Sequence, residues 1–174
     1  VGIVAGTDPD TSDSQSYSFT DSAGGRFAIN SATGEITVAD GTLLDYESAT
    51  SHSVTVRVTD AGGLTYDETF TINLTNVNEA PLITSAAAAS VTENQTAATT
   101  VTSSDVDGGA PVYSIAGGAD AALFSIDSAT GVLTFNAAPN FEAPGDAGAN
   151  NVYDVTVQVA DGNGGFDTQA IAVT

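Results

Sequence analysis

Phe27-Ala28-Ile29-Asn30-Ser31-Ala32-Thr33-Gly34-Glu35-Ile36-Thr37 returns later in the chain as Phe124-Ser125-Ile126-Asp127-Ser128-Ala129-Thr130-Gly131-Val132-Leu133-Thr134. The flanks return with it. Asp8-Pro9-Asp10 becomes Asp105-Val106-Asp107, Tyr17-Ser18-Phe19 becomes Tyr113-Ser114-Ile115, and Asp45-Tyr46-Glu47 becomes Asn140-Phe141-Glu142. Val58-Thr59-Asp60-Ala61-Gly62-Gly63 corresponds to Val159-Ala160-Asp161-Gly162-Asn163-Gly164. One domain is written twice in tandem, and spaced carboxylates recur in both copies, which points to a modular chain rather than an enzyme.

The patterning between these landmarks is that of strands. Val54, Val56 and Val58 alternate with Thr55, Arg57 and Thr59, while Phe70, Ile72 and Leu74 alternate with Thr71, Asn73 and Thr75. In the second copy Val155, Val157 and Val159 alternate with Thr156 and Gln158. A period of two reads as a strand with one buried face, and the Gly, Asn, Asp and Ser clusters between the runs supply turns. Only Ala86 to Ser90 hints at helix, and it is too short to nucleate one. The expected fold is all-β: two tandem Greek-key β-sandwiches, residues 1–79 and 80–174, joined at Asn76-Val77-Asn78-Glu79-Ala80-Pro81, where Pro81 stops strand pairing.

Composition narrows the function. The 174 residues are 41% apolar with no Trp and no Cys, so small aliphatic cores must hold without disulfide or thiolate staples. The formal charge is −20, with Arg26 and Arg57 the only basic residues. Repulsion on that scale destabilises a compact chain unless cations offset it, and the lack of basic patches excludes nucleic acid and anionic lipid as partners. No apolar run is long enough to insert in a bilayer. Scattered acids would suit adaptation to high salt. Acids at repeated positions suit specific cation binding.

Taken together, these residues resemble the cadherin-type repeat in its bacterial, cadherin-like form. Thr92-Glu93-Asn94 is similar to the family's opening Glu motif, and Asp8-Pro9-Asp10 and Asp105-Val106-Asp107 to its DxD pair. Leu44-Asp45-Tyr46-Glu47 resembles LDRE, Thr59-Asp60 and Ala160-Asp161 resemble AxD, and residues 76–81 resemble the DxNDNxP linker. The linker departs from the pattern at Asn76 and Glu79, and Asn140 replaces the Asp of the second LDRE-like motif. Aligning Asp8 with Asp105 sets Val1 opposite Ala98, so the first copy is expected to lack its Glu motif and the junction to hold fewer or weaker ions than an intact one.

The resemblance implies a calcium site at the junction, held by Asp45 and Glu47, by Asn78, Glu79 and the carbonyls of Val77 and Ala80, and by Asp105, Asp107 and Asp161. It implies half-sites toward neighbouring repeats at Asp8, Asp10 and Asp60 and at Glu93, Asn140 and Glu142. Oxygen-only donors are what Ca²⁺ takes. The implied function is a calcium-rigidified extracellular repeat of a cell-surface or secreted adhesin-like protein, with neighbouring repeats of the same polypeptide as partners. The alternative is a module that recognises polysaccharide or a like domain on another cell, with Tyr66 and Phe166 as its candidate aromatics. His52 reads as a surface residue. No nucleophile elbow or single shielded acid pair suggests an enzyme.

Overall fold

The computed structural model describes residues 1–9 and 14–174. They divide into two compact units, Val1–Asn76 and Val77–Thr174. The described residues are all-β apart from two short 3₁₀ turns, Gly41–Leu43 and Ala121–Leu123.

In the first unit the strands are β1 (Gly2–Ile3), β2 (Ser16–Asp21), β3 (Phe27–Ile29), β4 (Glu35–Val38), β5 (Ser51–Thr59) and β6 (Thr65–Asn73). They make one sheet in the order β1-β4-β3 and another in the order β2-β5-β6, all antiparallel. Val54 and Val56 turn inward and are fully buried with Phe27 and Ile36. Their neighbours face out, where Arg57 sits opposite Asp67 and donates from Nε and Nη2 to the two carboxylate oxygens, both at 2.7 Å. Those bonds hold the Asp67 carboxyl below its ordinary range. Arg26 donates to the carbonyls of Leu43 and Ala23 and so ties two loops together. Both basic side chains therefore serve the first unit, and the second has none.

His52, expected on the surface, is half-buried. Its ring packs 6.3 Å from that of Phe27, and its Nε2 is buried with no hydrogen-bond partner among the described residues. The inward period of β5 explains it: His52 pairs with Ile72 and shares a face with Val54.

The second unit contains β7 (Leu82–Ile83), β8 (Ala88–Ala89), β9 (Ala97–Thr100), β10 (Ser103–Ser104), β11 (Val112–Gly117), β12 (Phe124–Ile126), β13 (Val132–Phe135), β14 (Tyr153–Ala160) and β15 (Phe166–Val173). Its sheets run β11-β14-β15-β8, β12-β13-β9 and β10-β7. Val155, Val157 and Val159 of β14 pack with Leu133, Phe135, Tyr153 and Ile171 in one buried cluster. Strand β8 adds to β15 in parallel, and Ile83 joins the core.

The repeated motif makes the same hairpin turn in both units. The side-chain oxygen of Asn30 accepts from the N–H groups of Ala32 and Thr33, and that of Asp127 from Ala129 and Thr130. The turn closes on a glycine N–H, Gly34 to the Asn30 carbonyl and Gly131 to the Asp127 carbonyl, both at 2.9 Å. Both glycines have positive φ, +68° and +71°. Each glycine carbonyl then accepts an N–H from a distant strand segment, Val4 in one unit and Val101 in the other.

The segment after Glu142 is several residues longer than its counterpart after Glu47, and two buried acids organise it. Asp120 accepts from the N–H groups of Ala147 at 2.7 Å and Asp154 at 2.8 Å, while Asp146 accepts from Asn150 and Asn151, both at 3.0 Å. The two residues are 4% and 7% exposed, so this segment is built as firmly as a turn between strands. Backbone donors, that of Asn150 foremost, hold the Asp146 carboxyl below its ordinary range. Asp120→Ala is expected to cost about 1–3 kcal/mol for each N–H left buried without a partner. Urea unfolding would measure the loss, and hydrogen exchange should show protection vanishing at the Ala147 and Asp154 amides. Unchanged protection there would contradict the account.

Candidate functional site

The repeated carboxylates fall in loops at strand ends, and their local geometry follows from Asx chemistry: a short acid accepts the N–H two residues on. In the second unit Asp105 Oδ1 accepts from Asp107 N–H at 3.0 Å. Between β14 and β15, Asp161 Oδ1 accepts from Asn163 N–H at 2.6 Å and from Gly165 N–H at 3.0 Å. Gly165 is required by contact. A Cβ there would overlap Asp161 Oδ2, and it would stand 2.8 Å from the Ala80 Cα and 3.1 Å from the Glu79 carbonyl oxygen. The strand-free segment at residues 77–80 thus lies directly against the Asp161 turn.

That packing brings further predicted residues to one place. Asn78 Nδ2 donates to Asp161 Oδ2 at 2.6 Å, and Glu79 N–H donates to Asp107 Oδ2 at 2.7 Å. The carboxylates of Glu79 and Asp107 present oxygens within 4.8 Å of each other. Asp105 and Asp161 both line a cavity of about 90 Å³ with Pro81, Ser103 and Pro111. The Asn78 amide, more than any other group, holds the Asp161 carboxyl below its ordinary range, with the Asn163 N–H next. Five predicted residues of the second unit, Asn78, Glu79, Asp105, Asp107 and Asp161, therefore gather at one end of it.

The donor set fits a hard divalent cation. It holds four carboxylates and one amide, all oxygen-bearing, and the second unit has no Lys or Arg to neutralise them. The cavity has room for an ion and part of its hydration, since a water occupies about 30 Å³ of liquid. Rotating the Asn78 amide about its last bond exchanges Nδ2 for Oδ1 and turns a donor toward Asp161 into a ligand.

The remaining predicted residues are placed as follows. In the first unit, Asp45 Oδ1 accepts from Glu47 and Ser48 N–H and its Oδ2 from the Ser48 hydroxyl, which above all lowers its carboxyl from the ordinary range. Asn140 makes the same turn in the second unit, accepting from Glu142 and Ala143. Glu93 Oε2 accepts from Phe141 N–H at 3.1 Å, which joins the opening Glu motif to the LDRE-like turn. Asp60 Oδ1 accepts from Leu64 N–H at 2.8 Å, and Asp8 is half-buried. Asp10 lies outside the described residues. Sequence reasoning passed over Asp167, whose Oδ2 anchors Ile83 N–H at 2.9 Å and so seats β7. Tyr66 and Phe166 are exposed, one on each unit.

Fold and loop acids define a class, the tandem cadherin-like β-sandwich repeat. The chain belongs to the bacterial Ig domain family, whose model matches residues 78–174, and the Cadherin domain model matches residues 1–75. It is 35% identical, over 93% of its length, to the Drosophila melanogaster protein "Protocadherin-like wing polarity protein stan", and 30% identical, over 91%, to "Cadherin-related family member 1" of Xenopus laevis. It spans only 5% and 20% of those two relatives. Among solved structures, human protocadherin-24 EC1-2 superposes with a TM-score of 0.73 at 22% identity, covering 96% of this chain and 85% of that one. Mouse cadherin-23 EC22-24 does so with a TM-score of 0.66 at 26% identity, covering 91% and 51%. No helix of the described residues is long and apolar enough to cross a membrane.

Proposed function

We propose that the chain is a calcium-binding extracellular repeat of an adhesion protein, in which Ca²⁺ at residues 76–81 stiffens the passage from one repeat to the next. Asn78, Glu79, Asp105, Asp107 and Asp161 hold the metal on the second unit. Asp45 and Glu47 of the first unit, with the carbonyls of Val77 and Ala80, complete its oxygen shell. Asp8, Asp10 and Asp60, and Glu93, Asn140 and Glu142, do the same toward adjoining repeats. The ion supplies charge neutralisation and no reaction, so the role is structural rather than enzymatic.

The observation that carries this reading is the tie between the linker-side residues and the loop acids: Asn78 to Asp161 and Glu79 to Asp107. Oxygen count and charge set calcium affinity, and extracellular modules work at about 10⁻⁴–10⁻³ M. Calorimetric titration of the full chain should show Ca²⁺ binding in that range, and Asp161→Asn should weaken it roughly tenfold or more. Equal affinity for wild type and Asp161→Asn would remove Asp161 from the site. The alternative, recognition of polysaccharide or of a like domain, draws on exposed Tyr66 and Phe166 and would show as retention on a glycan column.

A further inference from the structure

Asn163 is followed by Gly164, the only Asn-Gly step in the chain, and it lies at the tip of the turn joining β14 to β15. We propose that Asn163 is a site of spontaneous covalent modification, in which its side-chain amide is lost through a cyclic imide to give aspartate and isoaspartate at position 163.

The reaction needs a backbone nitrogen that can reach the preceding side-chain carbonyl, and a side chain on the following residue obstructs that approach. Gly164 has none, and the space where its Cβ would stand is empty to beyond 4 Å. Its φ of +110° belongs to a region open to glycine alone, so the turn both requires and exposes this residue. Asn163 itself is exposed, and among the described residues no hydrogen bond engages its side chain: its backbone N–H, not its amide, donates to Asp161. The other asparagines differ. Asn151 precedes β-branched Val152 and donates its amide to the Phe141 carbonyl. Asn136 precedes Ala137 and donates to the carbonyls of Ala122 and Phe124.

The atoms balance without an oxidant or a cofactor. The Gly164 nitrogen bonds to Asn163 Cγ, the Cγ–Nδ2 bond breaks, and the amide nitrogen leaves as ammonia carrying the Gly164 proton. Water then opens the five-membered imide. Opening at Cγ returns a normal main chain with a new carboxylate two residues from Asp161. Opening at the α-carbonyl routes the main chain through the former side chain and adds a methylene before Gly164, which displaces the Gly165 N–H now bonded to Asp161. The first unit has Gly62 at the matching position, so the Asn-Gly step belongs to the second repeat alone.

The test is to age the folded full chain in warm neutral buffer, with a urea-unfolded sample alongside. Mass spectrometry of proteolytic fragments would follow the amide, and isoaspartyl methyltransferase labelling the isoaspartate. The folded chain should lose the Asn163 amide completely while that of Asn151 is intact, and Asn163→Gln, which would need a six-membered ring, should keep the amide at position 163 and lower the labelling to what the Asp-Gly steps at 40, 107 and 161 give. Survival of the Asn163 amide in folded protein while unfolded protein loses it would overturn the proposal, as would labelling of Asn163→Gln equal to that of wild type. An effect on calcium affinity rests on the proposed function, but the amide loss does not. Aged protein with an isoaspartate and unaltered calcium titration would count against Asp161 as a ligand and leave the modification standing.

Discussion

Gly131→Ala is expected to destabilise the second unit by at least about 3 kcal/mol, at the upper end of what single substitutions do. Two costs add. A non-glycine residue in the left-handed region costs about 1–2 kcal/mol. The new Cβ would also overlap the carbonyl oxygen of Val101, whose side chain is 1% exposed. Relief requires moving the segment after β9 out of the core, and that breaks the bond from Val101 N–H to the Gly131 carbonyl. Gly108 is the control. Its φ of +72° matches the +71° of Gly131, but nothing lies within 4 Å of its Cβ position. Gly108→Ala should therefore show the backbone cost alone. Urea unfolding read by hydrogen-exchange mass spectrometry on residues 77–174 separates the two, and equal losses would show that the Val101 contact contributes nothing.

That glycine also shows why so much of the fold is legible in the amino-acid string. Asn30 and Asp127, Gly34 and Gly131 act over four residues, and turn chemistry of that range is written locally. The acid turns are legible for the same reason, since Asp105 and Asp161 each bind the N–H two positions on. What depends on distant packing is not. Ala88 and Ala89 look helix-prone, yet they form strand because the edge of β15 offers unpaired groups that outweigh a weak propensity. Asp120 reads like any loop acid, but residues 27 and 34 positions away bury it. Asn78 was legible as a candidate ligand. That its amide reaches Asp161 depends on the absence of a Cβ at Gly165, which brings two segments of the second unit into contact.

Calcium should raise the melting temperature of the chain by roughly 10–20 °C over the same protein in chelator. Ligand at a hundred times its dissociation constant stabilises the folded state by about 2.7 kcal/mol. For a domain of this size each kcal/mol moves the midpoint by about 4–8 °C. The unloaded reference is also weakened: like charges 4 Å apart repel by about 1 kcal/mol even at the dielectric of water, and the second unit contains no basic side chain to offset its acids. Asp107→Asn separates ion binding from general screening because its two effects have opposite signs. In chelator it removes one repelling charge, whose carboxylate oxygen stands within 4.8 Å of that of Glu79, so the variant should melt no lower than wild type, and by this repulsion higher. In calcium it removes a ligand, so most of the gain should disappear. Sodium chloride at matched ionic strength should reproduce little of the wild-type rise, because screening acts on all exposed acids alike while coordination acts on those that share an ion. Superimposable melts in calcium and chelator, or an Asp107→Asn variant that gains as much from calcium as wild type, would overturn the metal site.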